Sequence, residues 1–166
     1  PSSRSQDAPT TTTPEVTMGK TDITPEQARK LLDAKTGYIY LDVRSVPEFE
    51  SGRPPGAINI PISEPNPSTG QMESNPNFLQ VVESKISHDA KVIVGCKSGG
   101  RSARACDMLR GKGYTNVVNM AGGFGGGPGP GGQNVEPGWS KSGYPVEKGD
   151  AGERSYKSIS KTEPRP

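Results

Sequence analysis

Lys91-Val92-Ile93-Val94-Gly95-Cys96-Lys97-Ser98-Gly99-Gly100-Arg101-Ser102 reads as the end of a buried strand, a tight loop and the start of a helix. Val92-Ile93-Val94 is a short β-branched run of the kind found in a strand covered on both faces. Ser102 to Lys112 follows with a helical pattern, and Gly113 supplies its stop. A loop of this kind turns successive backbone N–H groups inward, toward whatever sits on the cysteine sulfur. The helix adds the positive end of its dipole to the same spot. Lys97 and Arg101 contribute formal positive charge on either side of two glycines. Together these features favour a thiolate at Cys96 and an anion bound beside it. Most free cysteines are inert core residues. A core position, however, has no need of a lysine, two glycines and an arginine within five residues.

The flanking sequence repeats the strand–helix alternation. Thr24-Pro25-Glu26-Gln27 opens a helix, with Thr24 at the N-cap, Pro25 at the first helical position and Gln27 reaching back. Ala28, Leu31 and Leu32 give that helix an apolar stripe, and Gly37 ends it. Tyr38 to Val43 is a second strand for a sheet interior, and Gly56 to Pro61 a shorter one. Asn75-Pro76 starts a helix carrying Phe78, Val81, Val82 and Ile86, and Val117 to Met120 is a last strand. Alternation of this kind predicts an α/β domain, with a mainly parallel central sheet and helices on both faces. Ligands in such sheets bind beyond the carboxyl ends of the strands, where Cys96 lies.

Composition sets the limits. The chain has 166 residues, 29% hydrophobic, with 22 Gly and 17 Pro. Residues 1–17 and 148–166 are too polar to pack and read as disordered tails, leaving one domain over 18–147. Gly122 to Gly132 is almost entirely Gly and Pro around Phe124, and 122–138 reads as a flexible inserted connector. It is either inconsequential or a mobile lid. Pro137-Gly138-Trp139 and Tyr144-Pro145-Val146 return to the core, since burying the only tryptophan is favourable. Net charge is +2 with no basic run, so nucleic acid is not implied. No apolar stretch reaches the roughly twenty residues of a membrane span. Two cysteines make no disulfide framework, and a reducing, cytoplasmic compartment fits best. Import into an organelle stays open if an N-terminal segment has been removed.

At this point the chain resembles the rhodanese family of sulfurtransferases. Tyr40-Leu41-Asp42-Val43-Arg44 with Pro47-Glu48-Phe49 is similar to the family's first signature. Pro55-Gly56-Ala57-Ile58-Asn59-Ile60-Pro61 is similar to the second, and Val94 to Ser102 to the active-site loop. Ala121-Gly122-Gly123 and Trp139…Gly143-Tyr144-Pro145 resemble its ending, interrupted by the Gly/Pro segment. One departure stands in the second motif, where Arg53 replaces the usual histidine. The family holds phosphatases and inactive members besides sulfurtransferases, so the fold alone does not decide activity. Phosphatases on this scaffold place five residues between Cys and Arg; here there are four, as in the sulfur-transferring members.

The resemblance implies that Cys96 attacks the outer sulfur of a donor and becomes a persulfide, which a thiophilic acceptor such as cyanide or a thiol then discharges. Lys97, Ser98, Gly99, Gly100, Arg101 and Ser102 form the substrate-binding loop. Lys97 suits the departing sulfite of thiosulfate. Arg101 either binds the donor anion or pairs with an acidic residue and braces the loop. Asp42 and Arg44 read as scaffold, with a plain surface charge an equal alternative for Arg44. Cys106 is ten residues from Cys96, roughly 15 Å along a helix, and reads as a small core residue rather than a disulfide partner. His88, the only histidine, reads as a surface residue. No metal or organic cofactor is called for. The partners implied are a small-molecule sulfur donor and acceptor, with a protein sulfur acceptor the further alternative. Two other functions remain open: a persulfide carrier or sulfur-sensing module with little turnover, and a phosphatase or arsenate reductase.

Overall fold

A computed structural model of the chain describes residues 22–35, 37–66, 68–130 and 135–160. The principal sheet is five-stranded and wholly parallel. It contains β1 (Asp22–Ile23), β2 (Ile39–Asp42), β3 (Ile58–Asn59), β6 (Val92–Gly95) and β7 (Val117–Met120), in the order β1-β7-β6-β2-β3. β6 is therefore central, with Leu41 opposite Val94 on one side and Val94 opposite Asn119 on the other.

Side-chain alternation along these strands divides the core into two layers. Leu41, Val92, Val94 and Val117 face α3 (Phe78–Lys85) and α4 (Gly100–Gly111) through Phe78, Val82, Ala105, Cys106 and Leu109. Tyr40, Ile93, Val118 and Met120 face the other way, onto α1 (Pro25–Asp33) and α2 (Val46–Ser51) through Ala28 and Phe49, with Trp139 completing that layer. Helices cover both faces, as the alternation predicts. The Thr24–Gln27 capping box of α1 is formed in both directions, at 2.9 and 3.1 Å. The helix ends at Asp33, earlier than Gly37, and Lys35 takes the left-handed turn with φ 55°.

Three features depart from expectation. Within the 122–138 segment, residues 122–130 and 135–138 are held by hydrogen bonds. Phe124 and Gly125 donate backbone hydrogen bonds to the carbonyls of Cys96 and Lys97, each over 2.8 Å. β8 (Gly127–Pro128) then pairs antiparallel with β9 (Val135–Glu136). Glycines allow this because a side chain would not fit: a Cβ on Gly123 would meet Cys96 O at 2.6 Å. Second, residues beyond 147 pack against the core. A short 3-10 turn over Gly152–Arg154 leads into α5 (Tyr156–Ile159), and Ile159 is buried in the α3–α4 layer. One aliphatic side chain and one well-placed arginine anchor a segment whose average composition is polar. Third, a small hairpin of β4 (Ser63–Pro65) and β5 (Met72–Ser74) precedes α3, where the sequence shows no strand alternation. The expected tail 1–17 and residues 131–134 and 161–166 lie outside the described residues.

Candidate active site

β6 ends at Gly95, so the chain reaches Cys96 at the carboxyl edge of the sheet's central strand. The loop turns at Gly99, whose φ of 110° is a left-handed conformation that side-chain-bearing residues rarely adopt. That turn brings backbone amides back over the cysteine. Cys96 Sγ receives the N–H of Gly99 at 3.0 Å and that of Ser102 at 3.4 Å, with Ser102 Oγ also 3.4 Å away. Both amides belong to the first turn of α4 or its cap, so the helix dipole and the donors act on the same atom. Cys96 itself is only 1% exposed. Lys97, Ser98 and Gly100 are exposed on the loop, and the Lys97 side chain runs alongside Gly125.

Arg101 is held in an ion pair. Its guanidinium makes a two-pronged contact with Glu48, 2.9 Å to Oε1 and 3.1 Å to Oε2. Glu48 belongs to α2 and also accepts from Ser45 N at 3.1 Å and Ser45 Oγ at 2.9 Å. Burial opposes ionisation of Glu48, but the hydrogen bonds from Arg101 and Ser45 together outweigh it and hold the carboxyl at about 2. Glu48 was not among the expected site residues. Its signal was legible: Ser45-Val46-Pro47-Glu48 has the spacing of a helix-opening capping box.

Asp42 and Arg44 are buried, at 1% and 3% exposure, which removes the surface-charge reading of Arg44. Arg44 Nη2 lies 2.6 Å from Asp42 Oδ2 and donates to Gly52 O over 2.6 Å, and Arg44 N donates to Asp42 Oδ1 over 2.9 Å. Burial pushes the Asp42 carboxyl up, and its bonds to Arg44 oppose that push. The Arg44 guanidinium also stacks on the Phe124 ring, 4.6 Å from its centre. Phe124 thereby ties the glycine-rich segment to the strand β2 end of the site. Cys106 packs in the core below, its thiol pushed up to about 12 by burial. His88 lies on the surface, 3.0 Å from Glu83. Among the described residues no cluster of His, Cys, Asp and Glu could hold a metal ion. No helix among them is long and apolar enough to cross a membrane.

The model of the rhodanese-like domain matches residues 24–126, from the cap of α1 to the glycines against the loop. The chain belongs to the rhodanese-like domain family. It is 38% identical over 111 residues to thiosulfate sulfurtransferase 16, chloroplastic, of Arabidopsis thaliana, covering 67% of this chain and 81% of that one. It is 43% identical over 89 residues to the Arabidopsis thaliana protein HIGH ARSENIC CONTENT 1, mitochondrial, covering 54% and 52%. The chain thus spans about half the length of some of the curated relatives it matches, and most of others. Among solved structures, Rv0390 from M. tuberculosis superposes with TM-score 0.61 at 29% identity, over 77% of this chain and 97% of that one.

Within the rhodanese-like domain, Arg53 is the notable local departure. It is fully buried, stacks 4.3 Å over the Phe49 ring and donates to Phe49 O and Gly149 O. Its Nε reaches Glu147 at 3.1 Å, and Arg154 takes both oxygens of the same carboxylate at 2.7 Å. A buried cation at this position is tolerated because the chain's own C-terminal segment supplies the counter-charge.

Proposed function

We propose that this domain is a sulfurtransferase that moves a sulfane sulfur from thiosulfate, or a related donor, to a thiophilic acceptor through a persulfide on Cys96. The carrying observation is the pair of backbone N–H groups, from Gly99 and Ser102, aimed at Cys96 Sγ at the start of α4. The thiolate attacks the outer sulfur of thiosulfate, forming a new S–S bond. The old S–S bond breaks and sulfite leaves with its electron pair, beside the exposed Lys97 cation. Cyanide then attacks the outer sulfur of the persulfide, thiocyanate departs and the Cys96 thiolate is restored with the electron pair of the broken bond. The amides play the part that an oxyanion hole plays in acyl transfer. No proton has to move and no metal takes part. The relatives named thiosulfate sulfurtransferase support this choice of donor.

The test is intact-mass measurement after thiosulfate treatment, with thiocyanate release followed on adding cyanide. The expected result is a gain of one sulfur on Cys96 that cyanide reverses, with turnover abolished in Cys96→Ser. Absence of the added mass with any sulfane donor overturns the proposal. A second reading, a persulfide carrier serving a protein acceptor, draws support from the 1% exposure of Cys96, which would shield a bound persulfide. Its mark is the same added mass with thiocyanate release that is slow or absent. The compartment proposed is the cytoplasm. The relatives named chloroplastic and mitochondrial make an organelle the alternative, and fractionation of the tagged full-length protein distinguishes them.

A further inference from the structure

A polar chain leads away from the sulfur, and the proposed reaction leaves it unused. Ser102 Oγ lies 3.4 Å from Cys96 Sγ and 3.2 Å from Gly99 O, and it makes a short hydrogen bond to Asn119 Oδ1. Asn119 Nδ2 donates in turn to Asp22 Oδ1 over 3.1 Å. Ser102 and Asn119 are 0% and 4% exposed. Asp22 and Asn119 stand opposite each other in the β1–β7 register.

Proton accounting decides what this chain does. A carboxylate only accepts, so Asp22 obliges Asn119 to turn its NH2 toward β1 and its carbonyl toward Ser102. The single hydroxyl proton of Ser102 then goes to that carbonyl, the shorter of its contacts, in preference to Gly99 O at 3.2 Å. What Ser102 presents to the sulfur is a lone pair. Among the described residues, the donors left on Cys96 Sγ are the amides of Gly99 and Ser102.

We propose that Asn119, held in one amide orientation by Asp22, is a positioning residue that withholds the Ser102 hydroxyl proton from Cys96 and so keeps the sulfur a stronger nucleophile. Nucleophilicity of a thiolate falls as hydrogen bonds stabilise it, so the consequence for donor attack rests on the reading of Cys96 proposed above. The proton accounting does not. The other charged or titratable groups around Cys96 are Lys97 in the loop, Arg101 and Cys106 on α4, Tyr40 on β2, the Asp42–Arg44 pair, and Glu48 on α2. All of them are unchanged in the variants below.

The experiment is a pH titration of thiolate ultraviolet absorbance, each protein being read against its own Cys96→Ser reference, which needs neither donor nor access to the sulfur. Asn119→Leu frees the Ser102 proton, which turns from Gly99 O, 3.2 Å away, to the sulfur once Cys96 is ionised, since a charged acceptor makes the stronger hydrogen bond. Its midpoint is expected to fall by about one pH unit, a tenfold gain in thiolate below the midpoint. The same substitution in a Ser102→Ala background is expected to leave the midpoint in place, since no hydroxyl remains to redirect. Asp22→Lys turns the Asn119 amide over, and its shift is expected to be larger with Ser102 than with Ala at position 102. Circular dichroism checks folding, and Asn119→Ala replaces any Asn119→Leu protein that does not fold. Equal shifts in both backgrounds, no shift, or a raised midpoint in Ser102→Ala alone would each overturn the proposal. Thiocyanate release measured in parallel separates the two readings: a normal titration without turnover counts against the sulfurtransferase alone.

Discussion

Gly123 sits with φ 61° where a Cβ would lie 2.6 Å from the carbonyl oxygen of Cys96 and 2.5 Å from that of Lys97. Those carbonyls accept the hydrogen bonds that clamp the loop from behind. Gly123→Ala is therefore expected to push the two segments apart and cost about 2 kcal/mol or more in urea denaturation. A change within about 0.5 kcal/mol would show that the clamp yields freely. Arg101 makes a different prediction. Its two-pronged contact with Glu48 needs a planar fork, which lysine does not have. Arg101→Lys is expected to keep the charge yet lower thiosulfate:cyanide kcat about tenfold, because the loop amides lose their fixed placement. A rate unchanged in Arg101→Lys and lost only in Arg101→Ala would mean that the charge matters and the brace does not.

The link between α2 and α4 responds to acid. Glu48 has its carboxyl held at about 2 in the fold against an ordinary value of 4.5, and Glu147, hydrogen-bonded chiefly by Arg154, is also held at about 2. A carboxyl depressed on folding contributes stability that is complete above its unfolded value and is lost as the pH falls toward its folded one. The contribution of these two groups to the unfolding free energy is therefore expected to decline from about pH 4.5 toward about 2. The Glu48→Gln, Glu147→Gln double variant should start lower and show a flatter decline in urea titrations across that range. An unaltered slope would remove these two groups as the cause. Both carboxylates are partly open to solvent, so the loss at each is modest.

The C-terminal segment closes the molecule over the second motif. Arg154 reaches both Glu147 and the carbonyl of Ala57, Asn75 Nδ2 donates to the Tyr156 hydroxyl, and Ile159 is 2% exposed. Ile159→Ala is expected to cost about 2–4 kcal/mol by urea denaturation, the range for emptying a core position. A cost near zero would mean that residues 148–160 only rest on the surface. This segment also separates what was legible from what was not. The sheet strands β2, β6 and β7, the helices α1, α3 and α4 and the Cys96–Ser102 loop are all readable, because each depends on local periodicity, caps and turn residues. Tyr156 to Ile159 carries no such period over its four residues, and the glycines after Ala121 carry no side chains to read. Their order comes from partners far along the chain, Asn75 in one case and the Cys96 and Lys97 carbonyls in the other. Glu48 lies between these cases, since its capping box was local while its contact with Arg101 spans 53 residues. By itself the sequence determined the parallel α/β frame and put Cys96 at the end of its central strand, since strand period and loop composition act over neighbouring residues. Only the tertiary structure decided that Arg101 pairs with Glu48, that Arg44 is buried, and that residues 122–130 and 148–160 pack against the rest of the chain. Those outcomes depend on which charges and carbonyls meet across the folded chain, and no local pattern encodes such meetings.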